Sequence, residues 1–230
     1  MTTSADGVEI AVEHRGPITG NHATRLVCTT GWANERSIWS ALADDLATDH
    51  AVTTWDLRGH GESGTPPPGE YSRRHALDDL AAVVDEAGRP VVLVGHSLGG
   101  YLSLAHTLDH PDDVAALVLI ATGPGFRRAE ARDEWNASVS AAAAKMDLPP
   151  GVEKISLHVD SHVIDHLAEI TCPVLVLLGE RDKRFAASAG LFERDLDVRA
   201  TVVVPDQGHM VHLKAATECA TAIREFTAGL

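Results

Sequence analysis

The fold of this chain is indicated most clearly by ten residues, Val91–Gly100, which read Val-Val-Leu-Val-Gly-His-Ser-Leu-Gly-Gly. The aliphatic run at the start predicts a strand buried on both faces, and Tyr101–Asp109 behind it predicts a helix. A Gly-x-Ser-x-Gly sequence joins the two. In a sharp strand-to-helix turn, this motif presents its serine at the carboxyl edge of a sheet. The motif alone is a weak signal, but the strand and helix around it are the context that it requires, so Ser97 is the candidate nucleophile.

Similar apolar runs recur along the chain and alternate with segments of helical spacing. Strands are predicted at Arg25–Thr30, Ala51–Trp55, Val91–Gly95, Ala115–Ala121, Pro173–Gly179 and Val198–Val204, with a weaker one at Val8–His14 on an antiparallel edge. Helices are predicted at Arg36–Thr48, Ser72–Ala87, Leu98–Asp109, Phe185–Asp195 and Leu213–Thr227. The alternation predicts an α/β fold, with a mostly parallel central sheet and helices on both of its faces.

One interval, residues 123–171, is too long for a simple crossover connection between two strands. Arg127–Met146 predicts a helix, Pro149-Pro150-Gly151 interrupts the pattern, and Ile155–Leu167 predicts a second helix. We therefore expect residues 1–122 and 172–230 to form the core, and residues 123–171 to be a small helical cap inserted over one end of the sheet.

The composition excludes several classes of function. The 230 residues are 44% hydrophobic and 23% charged, which is ordinary for a globular protein. Acidic residues number 33 against 19 basic ones, and the net charge of −14 argues against binding to nucleic acid or to an anionic membrane surface. The longest apolar run, Val114–Ala121, is far shorter than the roughly 20 residues of a membrane-spanning helix.

The compartment is predicted from the N-terminus and the cysteines. Met1–Gly7 has neither the basic start nor the apolar stretch of a secretory signal, so a cytoplasmic location is expected. Cys28, Cys172 and Cys219 are an odd number without a CxxC pair, which indicates reduced thiols rather than disulfides or a zinc site.

Three further segments lie at the ends of predicted strands: Asp56-Leu-Arg-Gly-His-Gly-Glu-Ser-Gly64, Leu178-Gly-Glu-Arg-Asp182 and Pro205-Asp-Gln-Gly-His209. Together with the serine motif they resemble the α/β-hydrolase superfamily, in its cap-bearing, carboxylesterase-like branch of serine hydrolases, over nearly the whole chain. The superfamily uses the chain order Ser…Asp…His. The resemblance therefore implies a catalytic triad of Ser97, Asp182 and His209, with no cofactor and no metal.

The chemistry requires these residue types. A serine hydroxyl is a poor nucleophile unless a base lies within hydrogen-bond reach and a third group orients that base. Each of the three side chains follows a buried strand, so all should meet at the carboxyl edge of the sheet, where ligands of open α/β sheets bind. Asp206 and Asp56 are rival acids, which we expect instead to shape a loop and to anchor the Arg58–Gly64 turn. His212, close to His209, is expected to be a solvated or a packing histidine.

Acyl transfer also needs N–H donors for the developing oxyanion. The backbone N–H of Leu98 is the first candidate. The resemblance implies that the second is the backbone N–H of Trp32, in the segment Cys28-Thr-Thr-Gly-Trp32. This segment has Thr30 where the family usually has histidine. The Trp32 side chain would pack under the cap and wall the acyl pocket.

His158, His162 and His166 recur every four residues, which predicts one helical face. Zinc binding is not expected, because the pattern lacks H-E-x-x-H chemistry and a nearby cysteine. The alternatives left open are that one of them lines the pocket or that all lie on a solvated helix edge.

The leading hypothesis is therefore a serine hydrolase of carboxylic esters or related acyl compounds, with a small-molecule acyl substrate and a possible homodimer. Lactonases, thioesterases, carbon–carbon-bond hydrolases and perhydrolases of the superfamily share the same triad. Epoxide hydrolases and haloalkane dehalogenases use an aspartate nucleophile, and Ser97 argues against both. A ligand receptor with slow turnover and a non-catalytic homologue are the alternatives from other classes.

Overall fold

The computed structural model describes residues 1–17 and 24–230. The strands are β1 (Thr2–Thr3), β2 (Glu9–Ile10), β3 (Val12–Arg15), β4 (Arg25–Thr29), β5 (Ala51–Trp55), β6 (Val91–His96), β7 (Val114–Ile120), β8 (Val174–Gly179) and β9 (Val198–Val204). Seven of them form one sheet in the order β3-β5-β4-β6-β7-β8-β9. Every neighbouring pair is parallel except β3 with β5. The predicted mostly parallel sheet with an antiparallel edge is thus confirmed.

The α-helices are α1 (Ser40–Leu46), α2 (Arg73–Ala87), α3 (Leu98–Asp109), α4 (Ala129–Ala143), α5 (His162–Asp165), α6 (Ala186–Asp195), α7 (Val211–Lys214) and α8 (Ala216–Thr227). They cover both faces of the sheet, as predicted. Successive residues of the central strands alternate between two cores: Leu93 packs with Leu80 of α2 and Leu102 of α3, whereas Val94 packs with Leu42 of α1 and Ile223 of α8. This alternation explains why the strands are apolar at nearly every position.

Three predicted elements are divided in the structure. The predicted strand Val8–His14 is split between β2, which pairs with β1, and β3, because the N–H of Ala11 donates to Ser63 Oγ (2.9 Å) instead of to a strand. The predicted helix Arg36–Thr48 begins as a 3-10 turn, Arg36–Trp39, before α1. The predicted helix Leu213–Thr227 is divided into α7 and α8 at Ala215, whose φ of −133° and ψ of 53° are not helical.

The second helix predicted in the inserted segment is wrong. Instead of one helix over Ile155–Leu167, the structure has a 3-10 turn at Val152–Ser156, an extended stretch, the short α5 and a further 3-10 turn at Leu167–Glu169. The reason lies in polar side chains from elsewhere in the fold. The amide of Asn136 on α4 binds both the N–H and the C=O of His158 (2.9 Å each), which removes these groups from any helix.

Asp160 strengthens this irregular conformation. Its carboxylate accepts from the backbone N–H of His162 (3.0 Å) and from the guanidinium of Arg73 on α2 (2.6 and 2.9 Å). The hydrogen bonds and charge of Arg73 lower the pKa of Asp160 to about 2, so the pair is charged at neutral pH. The inserted segment is thereby tied to α2. It remains a prediction that residues 123–171 act as a cap over a core formed by residues 1–122 and 172–230.

The loop after β5 is held by buried charges. The side chain of Arg58 is fully buried and donates to Asp79 (2.6 and 2.7 Å), to Asp6 (2.8 Å) and to the carbonyl of Glu70 (2.9 Å). Removal of one partner from such a buried network is costly because it leaves an uncompensated charge.

No helix in residues 1–17 and 24–230 is long and apolar enough to cross a membrane.

Candidate active site

Ser97 lies at the predicted strand-to-helix turn, between the last residue of β6 and the first of α3. Its φ of 52° and ψ of −114° are strained for a residue with a side chain, which costs on the order of 1–3 kcal/mol. The backbone holds it there, because its N–H donates to Ile120 (3.0 Å) and its C=O accepts from Thr122 Oγ1 (2.6 Å). Such strain at a loop tip is typical of functional residues.

The flanking glycines permit the close packing of this turn. A Cβ on Gly99 would lie 2.1 Å from the carbonyl oxygen of Thr29, at the end of β4. A Cβ on Gly95 would lie 2.5 Å from the Cα of Gly100, across the turn. Larger residues at either position would force the strand and helix apart, so the motif requires glycine at both.

His209 and Asp182 are brought together by the loops that follow β9 and β8. His209 Nδ1 lies 2.8 Å from Asp182 Oδ2. Because the carboxylate can only accept, Nδ1 carries the proton and Nε2 of a neutral ring has a free lone pair. The Asp182 side chain is 4% exposed and that of His209 is 40% exposed, so the acid is sequestered while the imidazole remains accessible.

The His209 ring is fixed from both sides. It stacks on Phe185, with ring centroids 5.3 Å apart and an interplanar angle of 20°, and it lies 4.7 Å from the ring of His96. His96 Nε2 also donates to the carbonyl oxygen of His209 (3.0 Å). His96 is the residue before Ser97, so this contact joins the histidine loop directly to the serine turn. No hydrogen bond joins Ser97 and His209 themselves within the part of the chain that the structure describes.

A buried aromatic stack supports this arrangement. The ring of His212 lies 4.2 Å from that of His96 and 4.4 Å from that of Trp39, and it is fully buried. Burial lowers the pKa of His212 to about 3 and the pKa of His96 well below its usual range, so both rings are neutral at pH 7. Of the two interpretations of His212, packing is therefore correct.

The two predicted oxyanion donors belong to segments that meet beside Ser97. A Cβ on Gly31 would lie 3.2 Å from Ser97 Cβ, so the residues around Trp32 pass next to the serine. Leu98 is the first residue of α3, where N–H groups have no helical partner. Thr30 is fully buried, and its hydroxyl has no hydrogen-bond partner among the described residues.

The rival acids are engaged elsewhere. Asp56 accepts from the side chain and backbone N–H of Arg36 and from the N–H of Glu62 (3.1 Å), and its carbonyl accepts from Ser63 Oγ (2.6 Å). It anchors the turn, as predicted. Asp206 is exposed and pairs with Arg181, which joins the loop after β9 to the loop after β8.

A pocket of about 570 Å³ opens beside Ser97, within the roughly 300–1,000 Å³ typical of small-molecule sites. One wall comes from the inserted segment and the other from the start of α6. The side chains that enclose it are largely aromatic or apolar and include Tyr101, Phe126, Trp135, His158, Ile164 and Phe185.

His158 lies on this wall, so one of the three spaced histidines does line the pocket. It is 8% exposed, its Nδ1 has no hydrogen-bond partner among the described residues, and burial lowers its pKa to about 4. It faces the edge of the Tyr101 ring, with centroids 4.5 Å apart. The expected common helical face is wrong, because His158 lies in the extended stretch and only His162 and His166 contact each other.

Comparison with known proteins identifies the family of the chain. A family profile described as alpha/beta hydrolase fold matches residues 24–169. The chain belongs to the α/β-hydrolase family. A putative 2-succinyl-6-hydroxy-2,4-cyclohexadiene-1-carboxylate synthase from Bacillus subtilis is 26% identical to it, over 97% of this chain and 96% of that protein.

Solved structures of other α/β hydrolases superpose over nearly the whole chain. A thermophilic esterase from Thermogutta terrifontis, with malate bound, has 26% identity and a TM-score of 0.83, covering 99% of this chain and 96% of the esterase. Est816, described as an N-acyl homoserine lactone degrading enzyme, has 25% identity and a TM-score of 0.73, covering 98% and 100%. This α/β hydrolase is thus an enzyme of the hydrolase class.

The sequence pattern does not reveal several residues of the candidate site. His96 occupies the variable position of the Gly-x-Ser-x-Gly motif, and its place beside Ser97 is the signal in the sequence that its side chain lies in the site. Phe185 and Trp135 gave no such signal, because their contacts join distant segments.

In residues 1–17 and 24–230, no group of three or more His, Cys, Asp or Glu is placed to hold a metal ion.

Proposed function

We propose that this α/β hydrolase cleaves carboxylic esters or closely related acyl compounds through a Ser97–His209–Asp182 triad and an acyl-enzyme. The observation that carries the proposal is the hydrogen bond between His209 Nδ1 and Asp182 Oδ2, beside a serine held in a strained turn at the wall of a largely apolar pocket. That bond sets the tautomer that leaves His209 Nε2 free to act as a base.

In this mechanism, Ser97 Oγ attacks the carbonyl carbon of the ester and its proton passes to His209 Nε2. The tetrahedral intermediate collapses, the carbon–oxygen bond of the ester breaks, and the alcohol leaves with the proton from His209. Water then attacks the carbonyl carbon of the acyl group bound to Ser97 Oγ and gives a proton to His209. The bond between that carbon and Ser97 Oγ breaks, the carboxylic acid is released, and the proton returns from His209 to Ser97 Oγ.

The remaining residues would stabilise this sequence. The backbone N–H groups of Trp32 and Leu98 are proposed to hold the oxyanion of each tetrahedral intermediate. The Asp182 carboxylate would stabilise the imidazolium that His209 becomes after taking the serine proton. Residues 123–171 are proposed to act as a cap that covers the acyl group, because Phe126, Trp135 and His158 from this segment form one wall of the pocket.

Relatives support an acyl substrate and leave its class open. The Thermogutta terrifontis protein is an esterase, and Est816 is described as degrading N-acyl homoserine lactones. Esters and lactones present the same carbonyl to the nucleophile, so both belong to the substrates proposed for this chain.

The test is labelling by a fluorophosphonate, which phosphonylates only an activated serine, followed by intact-mass spectrometry. Wild-type protein should gain one adduct, which peptide mapping should assign to Ser97. The adduct should be absent in Ser97→Ala and form far more slowly in His209→Ala. Ser188→Ala is the matched control, because Ser188 also lines the pocket and is no part of the triad. Labelling that persists in Ser97→Ala, or is absent from folded wild type, would refute the proposal.

A further inference from the structure

The pocket has a charge opposite to that of the protein. The chain carries a net charge of −14, yet no aspartate or glutamate lines the pocket, whereas Arg127, Arg128 and Arg184 do. All three arginines are exposed, which places their charges at the pocket mouth rather than in its aromatic interior. An acidic protein with a locally basic mouth attracts anions to that mouth.

Arg127 is not available to a ligand. Its guanidinium binds Asp165 (2.9 Å) and the carbonyl oxygen of Ile164 (2.9 Å), so most of its charge is compensated. Arg128 and Arg184 differ, because neither guanidinium has a hydrogen bond or an ion pair with another described residue; Arg128 accepts one bond from Arg132 through its backbone carbonyl, and Arg184 only lies over the Trp135 ring. Of the three arginines that line the pocket, Arg128 and Arg184 therefore have guanidinium groups without a bonded partner among the described residues.

Arg184 is positioned by a side-chain contact, and Arg128 by its place at the start of α4. The Arg184 guanidinium lies 5.3 Å from the centroid of the Trp135 ring, a cation–π distance, and Trp135 is itself a pocket wall. Arg128 directly precedes α4, whose first turn contributes Ala131 to the pocket. No side chain caps this helix, so its first N–H groups add partial positive charge on the same side. Glu130, in the same turn, is exposed and does not line the pocket.

The interior of the pocket does not favour a charged group of the ligand. Its walls are Tyr101, Phe126, Trp135 and Phe185, together with His158, which is neutral because burial lowers its pKa to about 4. A ligand that fits both regions has an uncharged chain next to Ser97 and an anionic group at its far end.

We propose that the preferred substrates are esters of dicarboxylic acids in which one carboxyl is esterified and the other is a free carboxylate bound by Arg128 and Arg184. This inference rests on the proposed function of Ser97 and names the substrate class of the same site. The scissile ester lies at Ser97, the methylene chain fills the aromatic interior, and the free carboxylate lies at the mouth.

The test compares two chromogenic esters of equal chain length, mono-4-nitrophenyl adipate, which carries the free carboxylate, and 4-nitrophenyl hexanoate, which is neutral. We expect wild type to have a higher kcat/KM for the adipate ester, and the double variant Arg128→Gln/Arg184→Gln to lose about tenfold of that preference, mainly through KM. The neutral hexanoate ester is the reference substrate, so the ratio of the two kcat/KM values cancels any effect of the double variant that is common to both esters. Added salt should reduce the preference of wild type because the mouth is open to solvent.

Two controls make the result specific. Arg74→Gln removes one positive charge from the exposed side of α2, where Arg74 pairs with Asp78 and does not line the pocket, and should keep the full preference. A second pair, 4-acetoxybenzoate and phenyl acetate, places the carboxylate on the leaving group instead of on the acyl chain. An arginine-dependent preference that appears only in this second pair would overturn the assignment to the acyl side.

Different results would overturn the preference for a free carboxylate and the esterase activity itself. Equal kcat/KM for adipate and hexanoate esters, or a preference that survives the double variant, would overturn this inference while the esterase stands. No hydrolysis of any of the four esters by folded wild type, together with no fluorophosphonate adduct, would overturn the proposed function and this inference with it.

Discussion

Mild acid should strongly destabilise this protein, because several of its histidines are buried as neutral rings. Burial lowers the pKa of His106 and His158 to about 4 and that of His212 to about 3. In the unfolded chain an imidazole titrates near 6.5. Between these values the unfolded state binds protons that the folded state cannot. The free energy of unfolding is therefore unaffected above pH 6.5 and falls as the pH drops below it.

The expected loss follows from these values. Between pH 7.5 and 5.5, each such histidine lowers the free energy of unfolding by about 1.3 kcal/mol, and the three together by about 4 kcal/mol. Domains of this kind are stable by only about 5–15 kcal/mol, so the loss is a large share of the total. His96 acts in the same direction, because burial also lowers its pKa.

Urea denaturation, followed by tryptophan fluorescence at several pH values, measures this slope. His106→Leu should remove about 1.3 kcal/mol of the loss between pH 7.5 and 5.5, because His106 is 1% exposed; it lies near the end of α3, away from Ser97. His162→Gln is the control, since that side chain is exposed to solvent and its ring contacts His166 rather than His106, so its removal should leave the slope unchanged. The reasoning is wrong if the free energy of unfolding changes by less than about 1 kcal/mol over this range, or if His106→Leu keeps the wild-type slope.

Three further predictions concern single sites. Asp79→Ala should lower the free energy of unfolding by about 3–5 kcal/mol, because it leaves the Arg58 guanidinium buried without its main partner. Urea denaturation measures this loss, and a value below about 1 kcal/mol would contradict the prediction. Asp182→Asn should lower kcat by about 10³–10⁴-fold with unchanged circular dichroism, whereas Asp206→Asn should retain nearly full kcat; comparable losses in both would refute the choice of acid. Gly99→Ala should yield little folded protein on expression, because the new methyl would lie 2.1 Å from a backbone oxygen; normal thermal stability would contradict this.

The sequence was sufficient where local pattern and topology determine position. Val91–Val94 could only be a strand buried on both faces, and the glycines around Ser97 allow the tight turn that follows it. Asp182 and His209 each follow a strand of the same parallel sheet, so their meeting at one edge follows from topology alone. These features depend on backbone direction and are therefore visible in the order of residues.

The sequence was not sufficient where distant side chains decide the conformation. The four-residue spacing of His158, His162 and His166 predicted a helix, yet Asn136, 22 residues before His158, binds both polar groups of its peptide backbone. The contact from His96 to the carbonyl of His209 spans 113 residues. Periodicity reports only which face of an element is apolar, and it contains no information about a hydrogen bond made from another element.

This difference explains why the reaction class of this hydrolase is easier to predict than its substrate. The groups proposed to make and break bonds lie at the ends of sheet strands, so the topology of the sheet determines their positions. The groups proposed to select the substrate, Arg128 and Arg184, lie at the start of a helix and in a loop, and His158 on the pocket wall lies in an extended stretch. Tertiary contacts orient Arg184 and His158, so a change in Trp135 or Asn136 would alter their positions, whereas neither of these two residues is bonded to His209 or Asp182. Substrate preference can therefore change by substitutions in residues 123–171 without any change in the chemistry at Ser97.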